Sequence, residues 1–490
     1  MRLKVFILCL IALFVLSTPY SVNAGSFGKG DPFGPVGEWY IGEESSTPNS
    51  HSPVLFVHGY NSSSTTWWKE NDMYDLFREA GYRTSFINLH PDKDMWVNGA
   101  ILADKLEQIY DYYGEPLMVV AHSKGGLDTQ SALVHFNAEQ YVSKVFTLSS
   151  PHHGSELADL AHSNWASWLT GIIGARSEAT ESLQTGAMAQ FRQETDPLTQ
   201  ELDVPFYTFS GYEPGSFGSA LYWGGIYLNS YGENDGSVTV NHSKLSYAHE
   251  RESGPWNHSE VKTGEYAYSF IEPLLHAESS YERQRNGYPY SSGTIVRGGE
   301  VEDILTEEFL VESDVDLASV HLLTNEEVHN AEFIAPDGTK HQAVSQQENE
   351  HSVFADAWIS SFDIENPTPG NWQVQMEHTT GGEPLSYLLI SGLEGGISGE
   401  LHLDPFTTNV QVNEGSINSE DLSVTVHIND ELIMNQGSIS NFQSMSLLNK
   451  EEGAYSITID IEGKTKKGEL FERTLIQNIY IDSEGNQLIQ

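Results

Sequence analysis

The chain has 490 residues, long enough for roughly two to four domains. It carries 69 Asp and Glu against 24 Lys and Arg, a net charge of −45. Such a surface repels phosphate backbones and anionic headgroups, which excludes nucleic acid as a partner. The charge fits a protein kept soluble in saline or alkaline surroundings, or simply an acidic secreted protein.

Met1-Arg2-Leu3-Lys4 places two positive charges ahead of an apolar run from Val5 to Leu16. Small and polar residues follow, ending Val22-Asn23-Ala24. This is the layout of a secretory signal over residues 1–24, and the run is too short to span a bilayer in the mature chain. The expected product is secreted, begins near Gly25 and has no transmembrane segment. Cys9 is the only cysteine and lies inside that signal, so the mature chain forms no disulfide, thiolate metal site or cysteine nucleophile.

From Ser52 to about His276, strand-like runs alternate with helical patterns. Val54–Val57 reads as a buried strand, followed by a Gly/Asn/Ser turn and a helical stretch from Trp67 to Arg78. Thr84–Ile87, Leu117–Val120, Val145–Leu148 and Pro205–Phe209 read as four more strands. Leu102, Leu106, Ile109 and Tyr113 share one helix face. Continuous apolar strands between helices predict an α/β fold, a mostly parallel sheet covered on both faces. Leu157, Leu160, Ala161, Trp165, Trp168, Leu169, Ile172 and Ile173 recur at roughly helical spacing. They suit either a core helix or a lid that closes over a site.

A polar linker over 278–292 ends the α/β part, residues 25–277. Beyond it the period changes to two: Val424, Val426 and Ile428 alternate with Thr425 and His427, and Tyr455, Ile457, Ile459 and Ile461 with Ser456, Thr458 and Asp460. Turn signals such as Pro336-Asp337-Gly338 and Pro369-Gly370-Asn371 separate the runs. Two all-β sandwiches are expected, over 293–398 and 399–490. Scattered aromatics there, Trp358 and Trp372 among them, read as core.

The chemistry centres on Val119-Val120-Ala121-His122-Ser123-Lys124-Gly125-Gly126. An apolar strand ends in a serine with small residues two before and two after it, the pattern of a nucleophile elbow. A serine hydroxyl needs a base, an acid to orient that base, and donors for the oxyanion. In a doubly wound hydrolase the acid and then the histidine follow the serine on later loops. Asp235, in Glu233-Asn234-Asp235-Gly236, comes after the fifth strand; the same residues also suit a plain turn. Asp196 and Asp203 come before that strand. His258, in Trp256-Asn257-His258, is the leading base candidate, with His249 second and His242 also downstream. Tyr60, after His58-Gly59, and Lys124 are placed to give the two oxyanion N–H groups. His58 reads as a residue that braces its loop.

In this order the motifs resemble the bacterial secreted true lipases, the calcium-associated enzymes of pseudomonads and burkholderias and their bacillus counterparts. The matches are Val57-His58-Gly59, the Ser123 motif, Ser150-Pro151-His152-His153-Gly154-Ser155-Glu156-Leu157-Ala158-Asp159, Ser182-Leu183-Gln184-Thr185, Glu233–Gly236 and Trp256–His258. They cover about residues 52–276. The resemblance implies an α/β-hydrolase with Ser123 as nucleophile, Asp235 as acid, His258 as base, and Tyr60 and Lys124 as oxyanion donors. It places mobile lid helices around 157–195 and implies action at a lipid–water interface. Ala121 stands where the family usually has glycine, as in the bacillus lipases. Lys124 stands where glutamine is common, and its charge beside the oxyanion could tune the pH of the reaction. The family's calcium site uses an acid two residues after the histidine, here Glu260; no other ligand can be assigned, so calcium stays open and no cofactor is required.

The expected activity is hydrolysis of carboxylic esters, first of all triacylglycerols. A second reading is a polymeric or other non-lipid ester held by the β-sandwiches. A third is a binding protein on a hydrolase scaffold.

Overall fold

The computed structural model describes residues 34–173, 175–276, 293–343, 345–347, 353–354, 356–378, 384–403, 410–413, 415–438 and 451–489. The expected signal and the 278–292 linker lie outside the described residues. The first half is built on one seven-stranded sheet of order β1-β3-β2-β4-β5-β6-β7. These strands are Trp39–Ile41, Val54–Val57, Thr84–Ile87, Leu117–His122, Val142–Leu148, Phe206–Gly211 and His249–Gly254. Every pairing is parallel except that of β1 with β3.

The unbroken apolar runs have a simple cause. Val54 and Phe56 of β2 belong to one core cluster, Leu55 and Val57 to another, and β4 divides its side chains the same way. Both faces of the sheet are therefore buried, and alternation has no reason to exist. Nine α-helices of this half are described: α1 (Met73–Glu79), α2 (Met95–Tyr113), α3 (Lys124–His135), α4 (Glu156–Ala161), α5 (Ser167–Ile173), α6 (Glu178–Ser182), α7 (Thr185–Thr199), α8 (Ala220–Leu228) and α9 (Ser269–Leu275). In α2 the Asp94 carboxylate accepts from Val97 N–H at the start, and Gly114 takes the left-handed conformation (φ +74°) at the end. Its Leu102, Leu106 and Ile109 are fully buried, as their spacing predicts.

Three local expectations change. The Trp67–Arg78 helix is broken: a short 3₁₀ turn over Ser64–Trp67 precedes α1. The Leu157–Ile173 stretch is two short helices, α4 and α5, whose join contains Trp165; the side chains of Ile172 and Ile173 lie outside the described ones. β7, His-Glu-Arg-Glu-Ser-Gly, has no apolar side chain to mark it, and its pairing with β6 makes it a strand.

The second half is antiparallel throughout. A five-stranded sheet, β13-β14-β10-β16-β8, faces a four-stranded sheet, β12-β11-β15-β9. The strands are β8 (Thr294–Val301), β9 (Ile304–Val311), β10 (Val315–Thr324), β11 (Glu332–Ile334), β12 (Lys340–Gln342), β13 (Ser345–Gln347), β14 (Trp358–Glu365), β15 (Gly370–Glu377) and β16 (Leu385–Gly395). They share one core, with Phe309, Phe333 and Trp372 inside it. Beyond it, β19 (Ser423–Ile428), β20 (Glu431–Ser438), β21 (Gly453–Lys464), β22 (Leu470–Ile481) and β23 (Gln487–Leu488) form a five-stranded sheet. A two-stranded ribbon, β17 (Leu401–Leu403) and β18 (Val410–Val412), adds Leu401 and Val410 to its core. This last unit is more lopsided than the second sandwich that alternation alone suggests.

In β21 the polar positions are buried too: Ser456, Thr458 and Asp460 are all under a tenth exposed. Their face is covered by other parts of the chain. Asp460 accepts from Trp165 Nε1 at 3.1 Å and from Arg297 at 3.2 Å, and Arg297 also pairs with Glu472. Arg473 pairs with Glu312 in a fully buried ion pair. Charges so placed are tolerated because each carries its counter-charge inside.

Candidate active site

Ser123 follows directly on β4 and begins α3, with φ +52° and ψ −133°. A non-glycine residue in that region is strained, and the surroundings hold it there. Ser123 N–H donates to Leu148 O of β5 at 2.9 Å. The neighbours must be small because backbone passes within contact. A Cβ on Gly125 would overlap the His58 carbonyl, one on Gly126 the Ser150 hydroxyl, and one on Gly59 would lie 2.7 Å from Ser123 Cβ. Ala121 fits at the remaining small position, fully buried on the strand.

The structure brings Ser123, His258 and Asp235 together. His258 Nε2 lies 3.1 Å from Ser123 Oγ, and His258 Nδ1 lies 2.8 Å from Asp235 Oδ2. Asp235 is fully buried, and its Oδ1 accepts from Ser237 and Val238 N–H at 2.9 and 2.8 Å. With Nδ1–H given to the carboxylate, Nε2 is left to accept from the serine hydroxyl. His249 is elsewhere: it sits on β7, its ring stacked on Tyr207 at 5.1 Å. His242 Nδ1 lies 3.2 Å from Gly154 O, against the α4 start.

Two segments lie against this serine. Lys124 N–H opens α3, where a helix N-terminus favours negative charge. Tyr60 belongs to the loop after β2, and His58 determines that loop's shape. His58 Nδ1–H donates to Gly59 O at 2.9 Å, while its Nε2 accepts from Leu89 N–H at 3.0 Å. The Gly59 carbonyl and the Tyr60 N–H share one planar peptide, so holding the first orients the second. Burial raises the Tyr60 phenol pKa; Ser177 opposes the shift, and the charges of Asp356 and Asp92 add to it.

Lys124 is less free than its sequence position suggests. Its Nζ donates to Asp128 Oδ1 at 2.6 Å, both side chains are almost fully buried, and Asn98 Nδ2 donates to Asp128 Oδ2 at 3.0 Å. The lysine charge is thus neutralised by a carboxylate one helical turn away. Burial pushes the Asp128 carboxyl up to about 6, with Lys124 and Asn98 pulling against it.

Two of the sequence motifs meet behind the site. Asp159 accepts from Thr185 N–H and Oγ1 at 2.9 and 2.7 Å, joining α4 to α7. Ser155 Oγ donates to Ser237 O at 2.7 Å, tying α4 to the loop of Asp235. Glu156 lies 3.4 Å from His242 Nδ1, with both groups buried. Burial pushes Glu156 up to about 8 and His242 down to about 4, so at neutral pH the contact is between two uncharged groups. His122, which motif reading passed over, donates from Nε2 to the His258 carbonyl at 2.9 Å.

Glu260, the residue that the resemblance offers to a calcium ion, is bonded to Asn257. Glu260 Oε2 accepts from Asn257 N–H at 3.0 Å and Asn257 Oδ1 accepts from Glu260 N–H at 2.9 Å, a reciprocal cap at a 3₁₀ turn. Among the described residues no group of three His, Cys, Asp or Glu is placed to hold a metal. Among them, too, no helix is long and apolar enough to cross a membrane.

Beside the Asp235 loop, α4, α5 and α8 share an apolar cluster with the second half. Leu157, Leu160, Leu169 and Trp223 pack with Val296, Phe354, Leu388 and Ile476. The rings of Trp223 and Phe354 meet edge to face at 5.1 Å. Asn478 Nδ2 donates to Gln184 Oε1 at 2.6 Å, and Tyr231 OH to Ile476 O at 3.1 Å. Trp165, a lid candidate, is held by Asp460, whereas Trp168 is half exposed.

Two outcomes are expected. Replacing Lys124 alone with Met leaves Asp128 buried without its partner and costs about 3–5 kcal/mol by urea denaturation, while the K124M/D128L double variant recovers most of it. Glu156 and Asp159 both have carboxyls raised to about 8, well above their unfolded values. Raised carboxyls stabilise the fold when protonated, so their contribution is full below about pH 4 and is lost as pH rises through about 8. Thermal midpoints from pH 6 to 9 should fall less steeply in Glu156→Gln than in the native chain.

No family model matches the chain, and no curated protein matches it. Among solved structures, the chain is 36% identical to the Bacillus licheniformis lipase BlEst2 in propeptide form, with a TM-score of 0.83; the match covers 93% of this chain and 100% of that one. The same lipase in mature form is 48% identical over 49% of this chain and 99% of its own, with a TM-score of 0.47. A metagenomic carboxyl esterase, MGS0156, is 17% identical over 50% of this chain and 77% of its own, with a TM-score of 0.36. The resemblance to lipases is supported at that level, though not its pseudomonad and burkholderia type: this relative is a bacillus enzyme. With 36% identity across the whole of that relative, the chain belongs to the family of the B. licheniformis lipase BlEst2 and is a hydrolase of carboxylic esters.

Proposed function

We propose that the chain is an exported serine hydrolase that cleaves triacylglycerols through an acyl-enzyme, and that its C-terminal sheets act as a propeptide-type cover. The catalytic reading rests on the relay from Ser123 Oγ to His258 Nε2 at 3.1 Å and from His258 Nδ1 to Asp235 Oδ2 at 2.8 Å. Ser123 Oγ bonds to the ester carbonyl carbon as its proton passes to His258 Nε2. Asp235 holds the imidazolium that forms. The N–H groups of Tyr60 and Lys124 take the charge that develops on the carbonyl oxygen. His258 then protonates the departing alcohol, leaving the acyl group on Ser123. Water, giving a proton to His258, releases the fatty acid and restores the serine.

A lipid rather than a small polar substrate is supported by the apolar cluster beside the Asp235 loop and by the relative's description as a lipase. Export rests on the charged and apolar layout of residues 1–24. The cover rests on two observations. The relative matched over its whole length is in propeptide form, and the second half packs on α4, α5 and α8 next to the catalytic loop.

A fluorophosphonate probe should label the chain, and Ser123→Ala should abolish labelling. Asp235→Asn should keep the fold and lower kcat by on the order of 10³–10⁴. Hydrolysis limited to acetate and butyrate esters in a chain-length series would remove the triacylglycerol substrate. For the cover, cutting within 278–292 and separating the halves should raise the rate on emulsified triacylglycerol. An unchanged rate would remove the cover, and a selective loss of activity on solid polyester would favour sheets that hold a polymeric substrate.

A further inference from the structure

We infer that His122, the last residue of β4, is the positioning residue that keeps the histidine base registered against the nucleophile. The inference rests on the serine-hydrolase reading and deepens it. His258 is anchored at three points besides its contact with the serine. Two of them lead to the same residue: His258 N–H donates to Asp235 O at 2.9 Å, and Nδ1–H donates to Asp235 Oδ2 at 2.8 Å. These fix the imidazole relative to the acid loop after β6. They do not fix it relative to β4. The third is the His258 carbonyl, which accepts from His122 Nε2–H at 2.9 Å. His122 is covalently next to Ser123, so this bond ties base and nucleophile to one strand end.

The reacting contact cannot do that work through a catalytic cycle. The 3.1 Å hydrogen bond between Ser123 Oγ and His258 Nε2 exists only while the serine has its proton. Once Oγ is esterified it has no proton to donate, and Nε2 must instead face a water. During that half of the cycle the anchor from His122 remains. The geometry suits the purpose: His122 is 2% exposed, its ring centroid lies 4.8 Å from that of His258 at 49°, and the two rings restrict one another. The histidine at this position had no assigned purpose in the motif, where only the small residues and the serine are required by the turn.

The test uses the full chain with p-nitrophenyl butyrate and three variants. His122→Phe keeps a ring and removes the donor; His122→Gln keeps a donor of similar reach; His122→Ala removes both. A base displaced by about 1 Å costs on the order of 10²-fold. His122→Phe should lower kcat by about that factor with KM little changed. Deacylation should suffer more than acylation, so a burst of p-nitrophenol that the native chain lacks should precede its slow steady state. His122→Gln should recover most of kcat and lose the burst, and far-UV circular dichroism should show all folded variants alike. Native kcat in His122→Phe, or His122→Gln as impaired as His122→Phe with native dichroism, would overturn the inference. Should the Phe and Ala variants not fold, His122→Gln decides alone: native kcat with no burst supports the inference, and a folded but slow enzyme overturns it. A native chain that no fluorophosphonate labels would remove the serine-hydrolase reading itself, a result separate from any of these.

Discussion

The turn at Ser123 is the constraint on which the catalytic half depends. β4 lies between β2 and β5 in the sheet, and its end passes into α3 with no intervening loop. Ser123 is held at φ +52°, in a region where side chains are disfavoured. The strain is tolerated because everything around it is fixed. Gly125 lies against the His58 carbonyl, Gly59 against Ser123 itself, and Gly126 against Ser150. The same crowding that demands glycine brings the loop after β2 against the serine. The loops after β6 and β7 then need only reach one point. Asp235 and His258 meet there, joined by a backbone bond and a side-chain bond.

Charge is handled in opposite ways outside and inside. The chain carries a net charge of −45, yet several charged groups inside it are paired: Lys124 with Asp128, Arg297 with Asp460 and Glu472, and Arg473 with Glu312. A buried charge without its partner is strongly unfavourable, so these pairs constrain which elements can come together. Glu156 and His242 follow another route. Burial moves both toward their neutral forms, and no ion pair is needed. Lys124 illustrates how position and environment differ. It follows Ser123 directly, but Asp128 takes up its charge.

The helices between the two halves serve both. α4 carries Ser155 and Asp159, which brace the Asp235 loop and α7. Its Leu157 and Leu160 face the apolar cluster shared with the C-terminal sheets. The join between α4 and α5 carries Trp165, bonded to Asp460 on β21. Movement of this region would therefore act on the catalytic loop and on the interdomain contact together. Backbone packing is close as well: a Cβ on Gly186 of α7 would overlap Ile479, and one on Gly298 would overlap the Trp165 carbonyl.

The local sequence determined whatever depends on spacing and on side chains read one segment at a time. The five apolar strands were legible because a sheet buried on both faces needs unbroken apolar runs. Helix α2 was legible from its buried stripe, and Ser123, Asp235 and a set of histidine candidates led by His258 from their order along the chain. Tertiary structure decided what local chemistry leaves open. β7 has no apolar residue and is a strand only because β6 offers it partners. The choice of His258 over His249 and His242 needed three dimensions, because a histidine's surroundings come from distant segments. Asp460, a polar position in the alternation of β21, is buried because Trp165 and Arg297, more than a hundred residues away, meet it. The pairing of Lys124 with Asp128, and of His122 with the His258 carbonyl, depends on where the buried side chains turn. Spacing does not carry that information, since it is set by the packing of the whole molecule.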